Sequence, residues 1–212
     1  MDMKIIENKR IFAFDAKNEC VAEVEDGETL IFRTHDCFDD QLSEEGSTIG
    51  SLNWNCINPA TGPVYVKNAL PGDVLKVEIL EIKLGKQGVM CALPDNGVLG
   101  SLVKEESVKR LKVENGKVHF NEKIVFDTNT MIGVIGVAPE NGAINCGTPG
   151  NHGGNMDNKR ITEGATLYFP VFHKGAIFSL GDVHAAMGDG EIMVSGVEIA
   201  ADVKVRLSVI KG

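Results

Sequence analysis

Twenty-four glycines and seven prolines break this 212-residue chain into short segments, and that punctuation narrows its possible folds more than any other feature. Glycine is costly inside regular elements and favoured in turns, so frequent breaks favour short strands over long helices. Residues 28–33 (ETLIFR) read as a strand leading into a His35-Asp36 loop, and Leu70-Pro71-Gly72-Asp73 reads as a turn. Beyond it, residues 74–84 (VLKVEILEIKL) alternate Leu75, Val77, Ile79 and then shift phase near Leu80, the signature of a bulge or bend. Residues 165–172 and 176–180 flank His173-Lys174-Gly175 as a short hairpin-like turn. Residues 192–199 and 203–210 alternate. In the second, Val203, Val205, Leu207 and Val209 share one face, and Lys204, Arg206 and Ser208 the other. The best helix candidate is 101–112 (SLVKEESVKRLK), with Leu111 three residues after Val108. The pattern predicts a mainly β chain with a sandwich- or barrel-like core and minor helix. The length suits one unit, 1–212, or two intimately packed sub-domains with a break near 120–129.

Bulk composition excludes several function classes. Hydrophobic residues make up 43% and charged residues 24%, as in ordinary globular proteins. A net charge of -9 repels phosphate backbones, so nucleic acid is not an expected partner. No apolar run is long enough to span a bilayer. The N-terminal MDMKIIENKRIFAF lacks the apolar stretch of a signal peptide. Cys20, Cys37, Cys56, Cys91 and Cys146 are odd in number and never in CxxC spacing. That argues against a disulfide framework or a Cys-rich zinc site and for a reducing cytoplasm. Cys37 and Cys146 read as small buried hydrophobes, since nothing nearby in sequence marks either thiol as a nucleophile.

The chemistry concentrates in two stretches of the last third, Pro149–Asp157 (PGNHGGNMD) and Gly181–Glu191 (GDVHAAMGDGE). Clustered Asp, Glu and His are costly to bury unless a cation or substrate offsets the cost. Asp182 and His184, two apart on a strand, project from one face and can present an oxygen and an imidazole nitrogen to one ion. Taken alone, the pair fits a turn Asp and a satisfied surface His better. The GDG turn, however, predicts a hairpin that returns Glu191, at the start of the next strand, to roughly 5 Å from His184. His152 lies in a glycine-rich loop where Gly153 and Gly154 allow a ligand close to the main chain, or where the loop is simply flexible. Asp36 is a further possible ligand, or else, with Gln41, it organises a turn.

On these motifs the chain resembles the acetamidase/formamidase family of metal-dependent amide hydrolases. The resemblance includes DCFDDQ (36–41), NPATGPVYV (58–66), ALPGDVL (69–75) and MIGVIGVAP (131–139), and runs almost unbroken to the C-terminus. HGGNMD and GDVHAAMGDGE, together and in order, are its specific marks. The resemblance implies a β-dominated fold with a smaller β or α+β part, and hydrolysis of short amides to carboxylate and ammonia. It also implies a divalent cation held by Asp36, His152, Asp182 and His184. The mixed nitrogen and oxygen donors favour zinc, with manganese, iron or calcium as alternatives. Glu191 is the expected proton acceptor and Asn155 the oxyanion donor, with Gln41, Asp157, Asp189, Gly153 and Gly154 supporting ligands or substrate. A homodimer is the expected assembly. The rival readings are a non-catalytic metal- or ligand-binding β module, and a metal hydrolase of another C–N bond or a lactone. Two departures bear on substrate: Met187 stands where the family has glutamine, and the chain is short for the family.

Overall fold

The computed structural model describes residues 3–212, so Met1 and Asp2 of the N-terminal stretch lie outside it. These residues form sixteen strands: β1 (Lys4–Ile6), β2 (Arg10–Ile11), β3 (Ala13–Phe14), β4 (Ala22–Val24), β5 (Thr29–Arg33), β6 (Ala60–Val66), β7 (Val74–Ala92), β8 (Ser107–Glu114), β9 (Lys117–His119), β10 (Val125–Asp127), β11 (Met131–Gly136), β12 (Ile144–Asn145), β13 (Gly153–Asn155), β14 (Thr166–Pro170), β15 (Phe178–His184) and β16 (Glu198–Ile210). Fourteen belong to one sheet whose main path is β10-β9-β8-β7-β16-β15-β11-β13, while β3 and β12 pair apart. Pairing is antiparallel except for β1 with β5 and β4 with β6. The mainly β expectation holds. Among the described residues the only helices are short 3-10 turns at Ile49–Ser51, Trp54–Cys56 and Gly100–Leu102.

The spine is the long antiparallel pair β7 and β16. Val203, Val205 and Leu207 are fully buried, as the alternation requires, and Arg206 is exposed. The phase shift at Leu80 is a bulge: Lys204 faces Glu81 and Val205 faces Ile79, which leaves Leu80 without a partner. Over this spine pack Leu30, Phe32, Phe169 and Phe178. Phe32 and Phe178 meet edge to face at 5.6 Å and 77°.

Three local expectations are corrected. The helix over 101–112 is absent. Gly100–Leu102 is a 3-10 turn and Ser107–Glu114 is β8, paired along β7. Leu111 and Val113 are buried and alternate with Arg110 and Lys112, a period of two that the exposed edge of β7 selects. His173-Lys174-Gly175 does not close a hairpin, because β14 pairs with β7 while β15 pairs with β6, β11 and β16. β15 is buried at all seven positions and needs neighbours over its whole surface, whereas β14 lies at an edge with alternating burial. Finally, residues 192–197 are irregular and the strand begins at Glu198. The Ile192 carbonyl accepts the Val98 N–H at 2.8 Å, which draws this segment away from the ladder. Residues 120–129 contain the turn and second strand of the β9–β10 edge hairpin.

Candidate metal centre

The site forms where β11, β13, β15 and β16 lie side by side. Its centre is His184, 1% exposed, at the end of β15. Four carboxylates converge on its Nε2: Glu198 at 3.1 Å, Asp182 at 3.3 Å, Glu191 at 3.8 Å and Asp157 at 4.0 Å. Cys37 joins from another loop, its sulfur lying with the carboxylate oxygens of Asp182 and Glu198 inside 4.8 Å. The ligand atoms of Asp157, His184 and Glu191 are equally close to one another.

Backbone geometry brings them together. Asp157 and Asp182 both have positive φ, at 39° and 53°, which non-glycine residues rarely adopt outside functional or turn positions. Their carboxylates reach from either side over Gly133 of β11. A Cβ built on Gly133 would stand 2.3 Å from Asp182 Oδ2 and 2.8 Å from Asp157 Oδ1. Gly133→Ala is therefore expected to keep the β fold, by circular dichroism, and to weaken metal affinity by at least the roughly 10–100-fold typical of disturbed ligand support. Unchanged affinity on metal titration would show that these two carboxylates are not needed where they stand. Gly196 gives similar clearance behind the ring, where its Cβ would lie 2.6 Å from His184 Nδ1.

The electrostatics are unbalanced without a cation. Glu198 Oε1 accepts the Gly196 N–H at 2.7 Å, but its Oε2, Asp157 Oδ1 and His184 Nδ1 are buried with no hydrogen-bond partner. Burial raises the Glu198 carboxyl above its ordinary range, more than neighbouring His184 lowers it. Burial also pushes Asp157 up to about 7, with help from the Asp182 and Glu191 charges. On His184 burial opposes the charge, yet Glu198 and Asp182 together outweigh it and hold the imidazole well above its usual value. Burial, with Glu198, Asp182 and Asp36 beside it, keeps the Cys37 thiol protonated. Two ligands each about 2.0–2.2 Å from one ion stand roughly 3–4 Å apart, which is how these atoms are spaced. The donor set therefore fits a divalent cation.

Among the described residues, neither Asp36 nor His152 falls in a cluster of three converging ligand atoms. Asp36 is buried and its Oδ1 accepts the Phe38 N–H at 2.9 Å and the Asp40 N–H at 2.8 Å, the turn-forming alternative. Burial raises it to about 6. This turn delivers Cys37 to the centre. His152 is fully buried against Phe14, with ring centroids 5.3 Å apart, and both ring nitrogens lack partners. Burial lowers its pKa and keeps it neutral. Gly153 and Gly154 have φ of 102° and 85°, and a Cβ on either would come within 2.2 Å of a backbone oxygen, of Ile135 and Thr148 respectively. Asn155 pairs with Val134 of β11 and lines the cavity, its Oδ1 buried without a partner. Gln41 Nε2 donates to the Phe38 carbonyl at 2.8 Å, and its Oε1 accepts the Asn53 N–H at 2.8 Å. Asp189 is exposed and pairs with Lys159 at 2.6 Å.

Glu191 does return to His184, but on an irregular loop rather than at the head of a strand. The residue opposite His184 across the ladder is Glu198, which sequence reasoning missed. In an alternating strand it falls on the polar face. Its signal is a lone carboxylate inside the apolar run Val197-Glu198-Ile199-Ala200.

Beside the centre opens a cavity of about 210 Å³. Asn58, Asn96, Asn155, Asp182, Glu191 and Glu198 give its polar lining and Phe38, Trp54, Ile57, Leu93 and Val194 its apolar lining, with Cys37 and Cys91 between them in character.

Residues 13–146 and 140–212 match the profile of the Acetamidase/Formamidase family. The fold superposes on the crystal structure of an acetamidase from Bacillus halodurans with a TM-score of 0.95 and 47% identity, covering 98% of this chain and 70% of that one. It is equally similar to a recombinant predicted acetamidase/formamidase from Thermoanaerobacter tengcongensis: TM-score 0.95, 49% identity, 99% and 70% coverage. A 64-residue segment is 44% identical to a formamidase of Methylophilus methylotrophus, and spans 30% of this chain and 16% of that enzyme.

Proposed function

Since the chain belongs to the acetamidase/formamidase family, we propose that it hydrolyses primary amides of the formamide and acetamide type to carboxylate and ammonia at the His184 centre. The observation that carries this reading is the convergence of four carboxylates on one buried imidazole, with oxygens left unpartnered. We assign His184, Asp182 and Glu198 to hold a divalent cation, zinc by its nitrogen, oxygen and nearby sulfur donors. Asp36 forms the turn that carries Cys37 to this set. Such an ion, when bound, polarises an amide carbonyl and acidifies water.

The chain's own residues do the rest. Glu191, on the cavity side of the cluster, takes the proton of the attacking water at a carboxylate oxygen and passes it to the departing nitrogen. The Asn155 side-chain amide donates to the oxygen on which charge develops. Asp157, whose Oδ1 stands 4.0 Å from the same imidazole nitrogen, adds negative charge beside the ligands. Gln41 fastens the cavity wall, and the Asp189–Lys159 pair anchors the loop that carries Glu191.

Five free cysteines suit a reducing cytoplasm. Among the described residues no helix is long and apolar enough to cross a membrane. The assembly we favour is a homodimer, for which exposed Val98 and Leu102 offer apolar surface. Metal analysis joined to ammonia release from formamide and acetamide tests the function. One zinc per chain and chelator-sensitive ammonia are expected, and metal without ammonia from either amide would refute it.

The pH dependence has a definite sign. Asp157, Glu198 and His184 all hold protons in the metal-free fold at pH values where the unfolded chain has released them. The folded state then binds more protons, so metal-free stability falls as pH rises from the ordinary carboxylate range near ~4 toward 7. Metal binding must displace those protons. Affinity is expected to rise with pH over that window, and calorimetry in buffers of different ionisation enthalpy should register proton release. A pH-independent affinity with no release would contradict the assignment.

A further inference from the structure

Resting on the amide-hydrolase reading, we infer that the preferred substrate is a primary amide whose acyl group carries an aromatic ring, held against Trp54 and Phe38. Four observations carry this.

The cavity is too large for the smallest amides. Its volume of about 210 Å³ is roughly seven times the ~30 Å³ share of one liquid water. Formamide or acetamide would leave most of it filled by mobile water, which attenuates the charges at the reacting end. An arylacetamide, with about ten non-hydrogen atoms against the one of water, is of a size to displace most of that water.

The cavity's lining is also mixed. The carboxylates of Asp182, Glu191 and Glu198 that converge on His184 open onto it, and Phe38, Trp54, Ile57, Leu93 and Val194 supply its large apolar side chains. A ligand with one amide end and one apolar end is its chemical complement.

Trp54, the chain's one tryptophan, lines this cavity and is 59% exposed. Val194, also in the lining, is 43% exposed. Large apolar side chains held in solvent next to a reactive centre mark a binding surface. An indole and a phenyl ring in one lining favour an aromatic partner over an aliphatic one.

The wall is built in advance. Trp54 opens a 3-10 turn whose cap, Asn53, accepts the Asn55 N–H at its side chain. Gln41 ties that turn to Phe38, donating to the Phe38 and Cys56 carbonyls and accepting the Asn53 N–H. A fixed wall selects by shape without an ordering cost. The chemistry balances without a co-reactant. Water adds its oxygen to the carbonyl carbon, the C–N bond breaks, and ammonia leaves with a proton from Glu191 as arylacetate forms.

The test uses phenylacetamide, acetamide and formamide on the whole chain, metal-loaded and metal-free. Trp54 emission supplies a binding readout independent of turnover. Phenylacetamide is expected to shift that emission saturably, with a Kd at least ~10-fold below that of acetamide, and to be hydrolysed with a kcat/KM at least ~10-fold higher. Trp54→Ala should collapse the phenylacetamide-to-acetamide ratio, and Trp54→Phe should largely restore it. An emission insensitive to phenylacetamide, or a kcat/KM no higher than for acetamide, overturns the inference while amide hydrolysis stands. Saturable binding with no ammonia from any of the three overturns amide hydrolysis and leaves the aromatic pocket. If Trp54→Ala instead converts a dimer to monomers in sedimentation and leaves the ratio unchanged, the wall is a protein interface and the inference fails.

Discussion

Glu198→Gln is expected to strip this protein of its cation and its turnover while making the metal-free fold more stable. Glutamine keeps the length of the side chain and the oxygen that accepts the Gly196 N–H, so the backbone at the start of β16 has no reason to move. What disappears is a charge that is 1% exposed and 3.1 Å from His184. Without metal, that charge stands in a cluster already holding Asp182, Asp157 and Glu191, and its desolvation is a net cost. Its removal should raise the thermal midpoint above pH 7, at about 2–4 °C for each kcal/mol relieved in a chain of this size. With metal, one of three assigned ligands is lost. Even disturbed outer support typically costs ~10–100-fold in affinity or activity, so losing a direct donor should exceed that. Differential scanning fluorimetry with and without zinc measures both effects. A variant that binds zinc as tightly as the parent, or melts lower without metal, would remove Glu198 from the centre.

Glu191→Gln should separate the two roles. Glu191 is less buried than Glu198, with a side chain 21% exposed, and reaches the cluster from a loop that also lines the cavity. Removing its charge leaves His184, Asp182 and Glu198 in place, so zinc should remain at full stoichiometry. Turnover should fall by the ~10²–10⁴-fold associated with a general base. Ammonia release and metal content measured on the same preparation decide the matter. Normal turnover would show that the proton goes elsewhere, and lost metal would make Glu191 a ligand.

How much of this was readable in the chain depends on the range of the interaction. Alternation in residues 203–210 and the slip at Leu80 are local, and both appear as written. The helix over 101–112 fails because Val108 and Leu111 meet helical spacing by chance, while pairing with β7 is a long-range choice. Asp182 and His184 come together because two residues on one strand set their own geometry. Glu191 arrives near His184 as its turn implied, though by a different backbone route. Glu198 could not be found the same way. It is polar by type, falls on the polar face of an alternating pattern, and is buried only because β15 and β7 close on it from both sides. Cys37, read as apolar filler, stands beside two carboxylates because the Asp36 turn redirects the chain there. Cys146 is apolar filler, packed with Ile11, Phe14 and Val134.

The central claim is that these distant segments close around one ion. Crystals soaked in zinc, with diffraction recorded on both sides of the zinc edge, put it to the most direct test. The account predicts an anomalous peak about 2.0–2.2 Å from a His184 ring nitrogen and from carboxylate oxygens of Asp182 and Glu198. A peak lodged between Asp36 and His152, or no ion anywhere near His184 at saturating zinc, would contradict it.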